Sequence, residues 1–467
     1  MNLSNKRGKA KSVFGILATI AAIATTSSCG GGSSIGPPPP PPPVTATETV
    51  LHAFQGSNGG ATDGLFPNNS PMLDAAGNLY GTAMEGGTGA LPANTTGPAP
   101  GIVFKIDTSN HESTLYSFQG PSSGAFPSSA VAIDSAGNLF ATTLAGGPDT
   151  FCGLQCGSTN GSGTVIKLDS SGNETTLYSF KGQNGDGQAP ITFISDGAGN
   201  FYGITAVGGS LPCWCGTVFK VDSSGNETVL HSFTGQNGDG NISGAGWGPG
   251  WPGTNLVLDS AGNLYGETYG GGGSPNCTVG CGTVFKLDSL GNETILHSFG
   301  GPPDGKYPTG LLMDKAGNLY GTTWEGGTST NCGQRGCGTI FKIDTSGNET
   351  VLYNFANSSS SDGEGPASLL MDGSGNFYGV SLFGGTSASC NQYVTPFTGC
   401  GTFFKLDSTG QETVLYNFKG APSGDGSVPT GLVMSSSGNF YGTTSAGGVI
   451  CSGVNSGCGT VFKIALH

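Results

Sequence analysis

The chain has 467 residues, of which 87 are Gly and only 10% are charged, with a formal net charge of −14. So much glycine argues against helices, since each Gly costs roughly 1 kcal/mol in a helix interior. It suits short strands joined by turns that need positive φ, and the acidic balance argues against nucleic acid or an anionic membrane surface as a partner.

Residues 1–28 read as a targeting segment. Lys6, Arg7, Lys9 and Lys11 precede an apolar stretch from Val13 to Ile23, which is too short to span a bilayer because a span takes roughly 20 residues. Thr26-Ser27-Ser28-Cys29 resembles a bacterial lipoprotein cleavage box with Cys29 as the acylated residue. Plain secretion, with Cys29 removed, is the alternative. Residues 29–46 form a tether, flexible through Gly30–Ile35 and stiff through the proline run 37–43. Loss of the leader removes four positive charges and no acids, taking −14 to −18.

The folded body, 47–467, is built on a repeat. Gly317-Asn318-Leu319-Tyr320-Gly321-Thr322 has close variants beginning at Gly77, Gly137, Gly199, Gly262, Gly375 and Gly438, 55 to 63 residues apart. A period of that size must be read before any other feature. Each unit holds four strand-like segments, in the fifth Thr309–Asp314, Asn318–Trp324, Gly338–Asp344 and Glu349–Phe355. The first pair and the last pair are joined by turns that open on Asp and close on Gly, a tight-hairpin signal. Four antiparallel strands repeated seven times predict an all-β, seven-bladed β-propeller. The chain starts with an isolated strand, residues 48–54, and ends with a three-stranded unit finishing at Gly459–Ile464. The first segment is therefore expected to complete the last blade and close the ring. If it were instead the innermost strand of blade one, every blade would be contiguous.

The unit Asp-x-x-Gly-Asn-Leu-Tyr-Gly-Thr, Gly-Gly, Cys-Gly-Thr-Val-Phe-Lys-Leu-Asp, Gly-Asn-Glu-Thr-Val-Leu resembles the GloVer-type tandem repeat of exported bacterial proteins. The resemblance covers residues 47–467 and implies a surface location without a settled activity. Blade one departs by lacking a cysteine pair, and blade two reads Leu139-Phe140-Ala141.

The two short turns of each blade share one face. The longer second-to-third loops and the blade crossings share the other, where binding is expected on a rigid scaffold. The longest crossing, Thr234–Pro252, carries Trp247 and Trp251, while Trp214 sits in the blade-three loop and Trp324 at the end of a blade-five strand. All four are candidate ligand-stacking residues, for sugar rings or a protein partner; the alternative is that they plug gaps between loops.

Apart from Cys29, the cysteines form six local pairs: Cys152 with Cys156, Cys213 with Cys215, Cys277 with Cys281, Cys332 with Cys337, Cys390 with Cys400 and Cys451 with Cys458. In an exported chain these predict loop-stapling disulfides. Zinc would need four converging ligands, and no loop supplies them. Seven lysines, such as Lys342, recur at one repeat position and are expected to lie across a hairpin toward the Glu of the next strand. His52, His231 and His297 replace Tyr116, Tyr178, Tyr353 and Tyr416 of other blades and read as outer-strand aromatics, not as a catalytic set. Asn184/Asp186 and Asn237/Asp239 offer oxygen ligands for Ca²⁺, though Asp-Gly before a strand is first of all a turn. The inner-strand starts, such as Asn69-Ser70 and Thr309-Gly310, bring no carboxylate or imidazole to the axis, against a metal hydrolase there.

The expected function is that of a monomeric, exported and lipid-anchored binding or scaffold module for carbohydrate or a surface protein. A polysaccharide-cleaving propeller enzyme, using Glu85, Glu267 or Glu325 at loop bases, is the alternative.

Overall fold

The computed structural model describes residues 44–467 apart from 57–62, 90–98, 121–122, 148–160, 212, 237, 244–254, 358–361, 391–396, 422 and 452–455. The leader, Cys29, the Pro run, Cys152 and Cys156, Asn237, Trp247 and Trp251 lie outside the described residues.

The body is a seven-bladed β-propeller of four-stranded antiparallel blades. Blade five runs outward through Gly305–Met313, Leu319–Gly326, Thr339–Ile343 and Glu349–Asn354. Its turns form as the Asp and Gly positions predict. The Asp344 carboxylate accepts N–H groups of Ser346 and Asn348 and the Asn348 side chain, and Gly347 takes φ 85°. In this turn and its equivalents at Asp169, Asp222 and Asp288, the Asn side-chain hydrogen bond holds the carboxyl below the ordinary range.

Closure follows the expected route. The first strand, Ala46–Ala53, is the outermost strand of the last blade, paired antiparallel to Thr460–Leu466. Val50 opposes Phe462 and His52 opposes Val461, with Leu51 at a bulge between them. Thr45 and His467 exchange both backbone hydrogen bonds. On the inner side Phe66 N–H donates to Cys458 O, and Thr443 Oγ1 donates to Asn69 O. Blade seven thus meets blade one at every radius.

Neighbouring blades are joined by phenylalanines. Phe355, ending the outer strand of blade five, lies edge-on to Phe404 of blade six at 5.1 Å, and both are fully buried. The pairs Phe54/Phe104, Phe180/Phe219, Phe233/Phe285, Phe299/Phe341 and Phe418/Phe462 repeat this contact. Edge-to-face packing suits the ring quadrupoles. The same third-strand rings explain the Gly after Leu-Tyr, since a Cβ on Gly321 would meet Phe341 Cζ at 2.4 Å. Blade two, which has Ala141 at that position, has the smaller Ile166 opposite it.

The recurrent lysines differ from expectation. Lys342 Nζ sits 5.5 Å from the Tyr320 ring of the preceding strand, and Lys105, Lys167, Lys220, Lys286, Lys405 and Lys463 lie over the matching rings. A cation over a π face keeps its head wet, so the lysine does not bend toward the next-strand Glu. That Glu serves the blade junction instead.

Candidate functional site: the loop face and its aromatic row

The second-to-third loops and the crossings do share a face: Asn331 Nδ2 and Ser329 Oγ of the blade-five loop both donate to Ala356 O of the next crossing. Five of the six predicted disulfides are formed, Cys213–Cys215, Cys277–Cys281, Cys332–Cys337, Cys390–Cys400 and Cys451–Cys458. The sixth expected bridge, Cys152 to Cys156 in the blade-two loop, is not among them: Cys152 and Cys156 fall outside the described residues. The five that form are part of the core as well as staples, because Cys215, Cys281, Cys337, Cys400 and Cys458 are fully buried.

Around the axis on this face, the inner strand of almost every blade places a residue at positive φ, among them Phe66, Phe126, Tyr307 and Val428 at 55–60°. Each of these N–H groups donates to a carbonyl of the preceding blade, as Tyr307 does to Cys281 O. The left-handed backbone costs on the order of 1–2 kcal/mol for a non-Gly residue, and the inter-blade hydrogen bond offsets it. One consequence is a row of aromatic rings on blades four to six. Tyr269 and Tyr307 stack at 4.3 Å and 4°. Trp324 lies 6.5 Å from Tyr307 and 5.8 Å from Phe397, which stacks on Phe383 at 4.1 Å. Gly365 makes room for the indole, since a Cβ there would meet Trp324 Cδ1 at 2.6 Å.

Charges frame the row. Lys306 pairs with Glu325 at 2.7 Å and lies over the Tyr307 ring. Arg335 pairs with Glu364 at 2.7 Å and stacks 4.2 Å from the Phe397 centroid. Burial pushes up the Tyr269 and Tyr307 hydroxyls, with nearby Glu325 adding to both. Both rings stay half-buried, and neither hydroxyl is hydrogen-bonded within the described residues.

Of the four tryptophans, Trp324 is in this row but is only 7% exposed, a buried backing to the tyrosines. Trp214, half-buried at φ 52°, lies between its two cysteines on blade three. Gly240–Asn241 already pairs with Gly270–Gly271, and Leu256–Leu258 continues the same inner strand. The described residues on either side of Trp247 and Trp251 thus belong to the inner strand of blade four, and the crossing expected to run to Pro252 ends by Gly240. The sequence reading missed Tyr269, Tyr307 and Phe397: Tyr307 takes the inner-strand position of Phe66 and Phe126, and Tyr269 that of Trp324, so being aromatic did not single them out.

The three acids named for polysaccharide cleavage sit on blades one, four and five, and none hydrogen-bonds to another. Burial, with no neighbouring charge, raises Glu85 to about 7. Glu267 is fully buried and pushed up to about 8. Neither of its oxygens reaches hydrogen-bonding geometry, though the Asn255 and Gly310 N–H groups lie near enough to oppose the rise. Beside it runs the axial cavity of about 160 Å³, lined by inner-strand residues of all seven blades, including Asn69, Ser70, Thr309 and Thr430. Glu267 comes from the second strand of its blade, outside the inner-strand starts considered for the axis. Asp186, read first as a turn residue and otherwise as an oxygen ligand for Ca²⁺, accepts from Lys181 N–H, Tyr178 Oη and Gly187 N–H and thus caps its own turn.

A groove of about 790 Å³ on the opposite face, between blades five and six, is walled by hairpin residues such as Asp314, Asp372 and Asp407. Their carboxylates are engaged by their own turns.

The model of the Gloeobacter/Verrucomicrobia repeat matches residues 154–393 and 333–467. No curated protein is significantly similar in sequence. Among solved structures, the chain is similar to the extracellular domain of a hybrid two-component system from B. thetaiotaomicron. The identity is 11% and the TM-score 0.48, over 90% of this chain and 41% of that one. It spans less than half the length of that protein. A gluconolactonase from Xanthomonas campestris is also similar, at 13% identity and a TM-score of 0.39, over 81% of this chain and 98% of that one.

Proposed function

The chain belongs to the Gloeobacter/Verrucomicrobia repeat family, and from that premise we propose that it is an exported, surface-held binding module whose loop face takes a carbohydrate. The disulfides support an oxidising location. The reading rests on one observation: half-buried Tyr269 and Tyr307, backed by Trp324 and flanked by fixed ion pairs, on the face where the loops vary. Flat rings beside pinned charges suit a sugar, whose C–H faces stack while its hydroxyls reach polar groups. Acylation of Cys29, with the tether after it, would hold the module at the membrane surface.

A glycan array on the purified full-length protein tests the proposal, with Tyr269→Ala/Tyr307→Ala and Trp247→Ala/Trp251→Ala as variants and Trp324 left intact. Retention of a glycan, weakened about tenfold or more in the first variant at unchanged Tm, is the expected result, since about 1.4 kcal/mol is tenfold in affinity. Absence of glycan binding would overturn the carbohydrate assignment and leave a surface protein as the ligand. Cleaved products would turn the reading to a polysaccharide-degrading enzyme.

A further inference from the structure

The Glu that opens each outer strand does not meet the recurrent lysine. It reaches the preceding blade, where it lies beside the aromatic of that blade's outer strand and, at every junction but that of Tyr116 with Glu174, the Asp of the crossing between them. At three junctions the aromatic is His, giving the groups His52/Asp63/Glu112, His231/Asp239/Glu293 and His297/Asp304/Glu349. In each group one ligand atom per residue lies within 4.8 Å of the others.

Where the residue is Tyr, its hydroxyl reaches the Asp, and an oxygen of the facing Glu48, Glu227 or Glu412 still lacks a hydrogen bond. Tyr178, Tyr353 and Tyr416 donate to Asp186, Asp362 and Asp425 at 3.0, 3.3 and 2.8 Å. The imidazole is shorter, and at the second group it leaves a gap. His231 Nε2 is 3.6 Å from Asp239 Oδ1 and 3.8 Å from Glu293 Oε1. His231 Nε2 and Glu293 Oε1 are both buried and make no hydrogen bond. These separations are too long for hydrogen bonds. Two ligands of a tetrahedral Zn²⁺, each about 2.1 Å from the ion, stand roughly 3.4 Å apart. The Asp239 carboxylate is already oriented, its Oδ2 accepting from Thr234 N–H and Oγ1, both at 2.6 Å. Such outer bonds fix a ligand's direction. One imidazole and two carboxylates suit a borderline divalent ion.

We propose that His231, Asp239 and Glu293 bind a divalent transition-metal ion that clips blade three to blade four; at the other two groups His52 and His297 hydrogen-bond directly to Asp63 and Asp304, at 3.1 and 3.4 Å. The Tyr junctions are built without it. The ion takes the place of the missing hydroxyl and neutralises two carboxylates that otherwise face each other.

Calorimetric titration of the metal-stripped, disulfide-intact full-length protein with Zn²⁺ tests this, alongside Tm with and without the ion. Saturable binding is expected, with a rise in Tm. His231→Tyr, which installs the residue found at Tyr178, should remove one equivalent while keeping the fold. Glu293→Gln should weaken that equivalent at least tenfold. No saturable binding by the unaltered protein would overturn the proposal. So would binding that His231→Tyr and Glu293→Gln leave unchanged, and the group would then be a plain His–carboxylate contact.

Discussion

Gly321 and Ala141 occupy one position in two blades; a Cβ on Gly321 would meet Phe341 Cζ and Gly310 O, each at 2.4 Å, and the facing side chain accounts for part of the difference. Phe341 lies over Gly321 so closely that a methyl has no room, whereas Ile166 faces Ala141. Gly321→Ala is therefore expected to destabilise by about 1–3 kcal/mol through overpacking. Adding Phe341→Ile, which copies blade two, should recover part of that loss. A double-mutant cycle read by thermal unfolding checks it: the pair should be more stable than the sum of the single effects allows. Additive effects would mean that the two residues are not coupled. At this scale the sequence was informative wherever a residue acts within its own hairpin. The Asp and Gly of each turn were legible because their partners lie within four positions. The recurrent Lys was misread because a Glu and a Tyr are both within its reach, and only the twist of the blade selects the ring.

Blade junctions are where reading one repeat at a time falls short. Tyr353, Asp362 and Glu412 come from one outer strand, the following crossing and the next outer strand, so their meeting is invisible in either unit alone. Burial, with the Asp362 charge adding to it, pushes Glu412 up to about 8. Burial likewise raises Glu227 and Glu48 to about 7, helped by Asp186 and Asp425 and opposed by Lys181 and Lys419. A carboxyl whose folded pKa lies above its unfolded value stabilises the fold while protonated. That contribution is complete below the ordinary carboxylate range and is lost as pH climbs through the raised values. Tm should accordingly fall between about pH 5 and about pH 8, and Glu412→Gln should lessen the fall. The turn aspartates, held low, act with the opposite sign and only in acid, outside this window. A Tm flat across the interval, or a Gln variant with the same slope as the parent, would remove the assigned role of these groups. The aromatic row was also poorly legible, because Tyr269, Tyr307 and Phe397 become neighbours only when blades four, five and six stand side by side. The extra length around Trp247 and Trp251 was visible, but the end of the crossing by Gly240 depends on the pairing of Gly240–Asn241.

For the molecule as a whole, ring closure decides which loops share a face and therefore where a ligand would dock. Its sequence signal was plain counting, one orphan strand at the start and one missing at the end. Without Ala46–Ala53, the strand Thr460–Leu466 would become a bare edge whose unpaired N–H and C=O groups invite association. Deleting those residues should lower Tm and promote aggregation, measurable by light scattering during a thermal ramp. The most direct test is a cross-link between Thr49 and Lys463, which lie opposite each other across the closing pair. With both changed to Cys and the protein oxidised, peptide mass spectrometry should find the 49–463 bridge in the monomer. A control pairing Thr49→Cys with Lys405→Cys, the same strand position in blade six, should give none. Failure of the first bridge, or equal yield of the second, would contradict the closed ring and with it the loop face on which the proposed binding site depends.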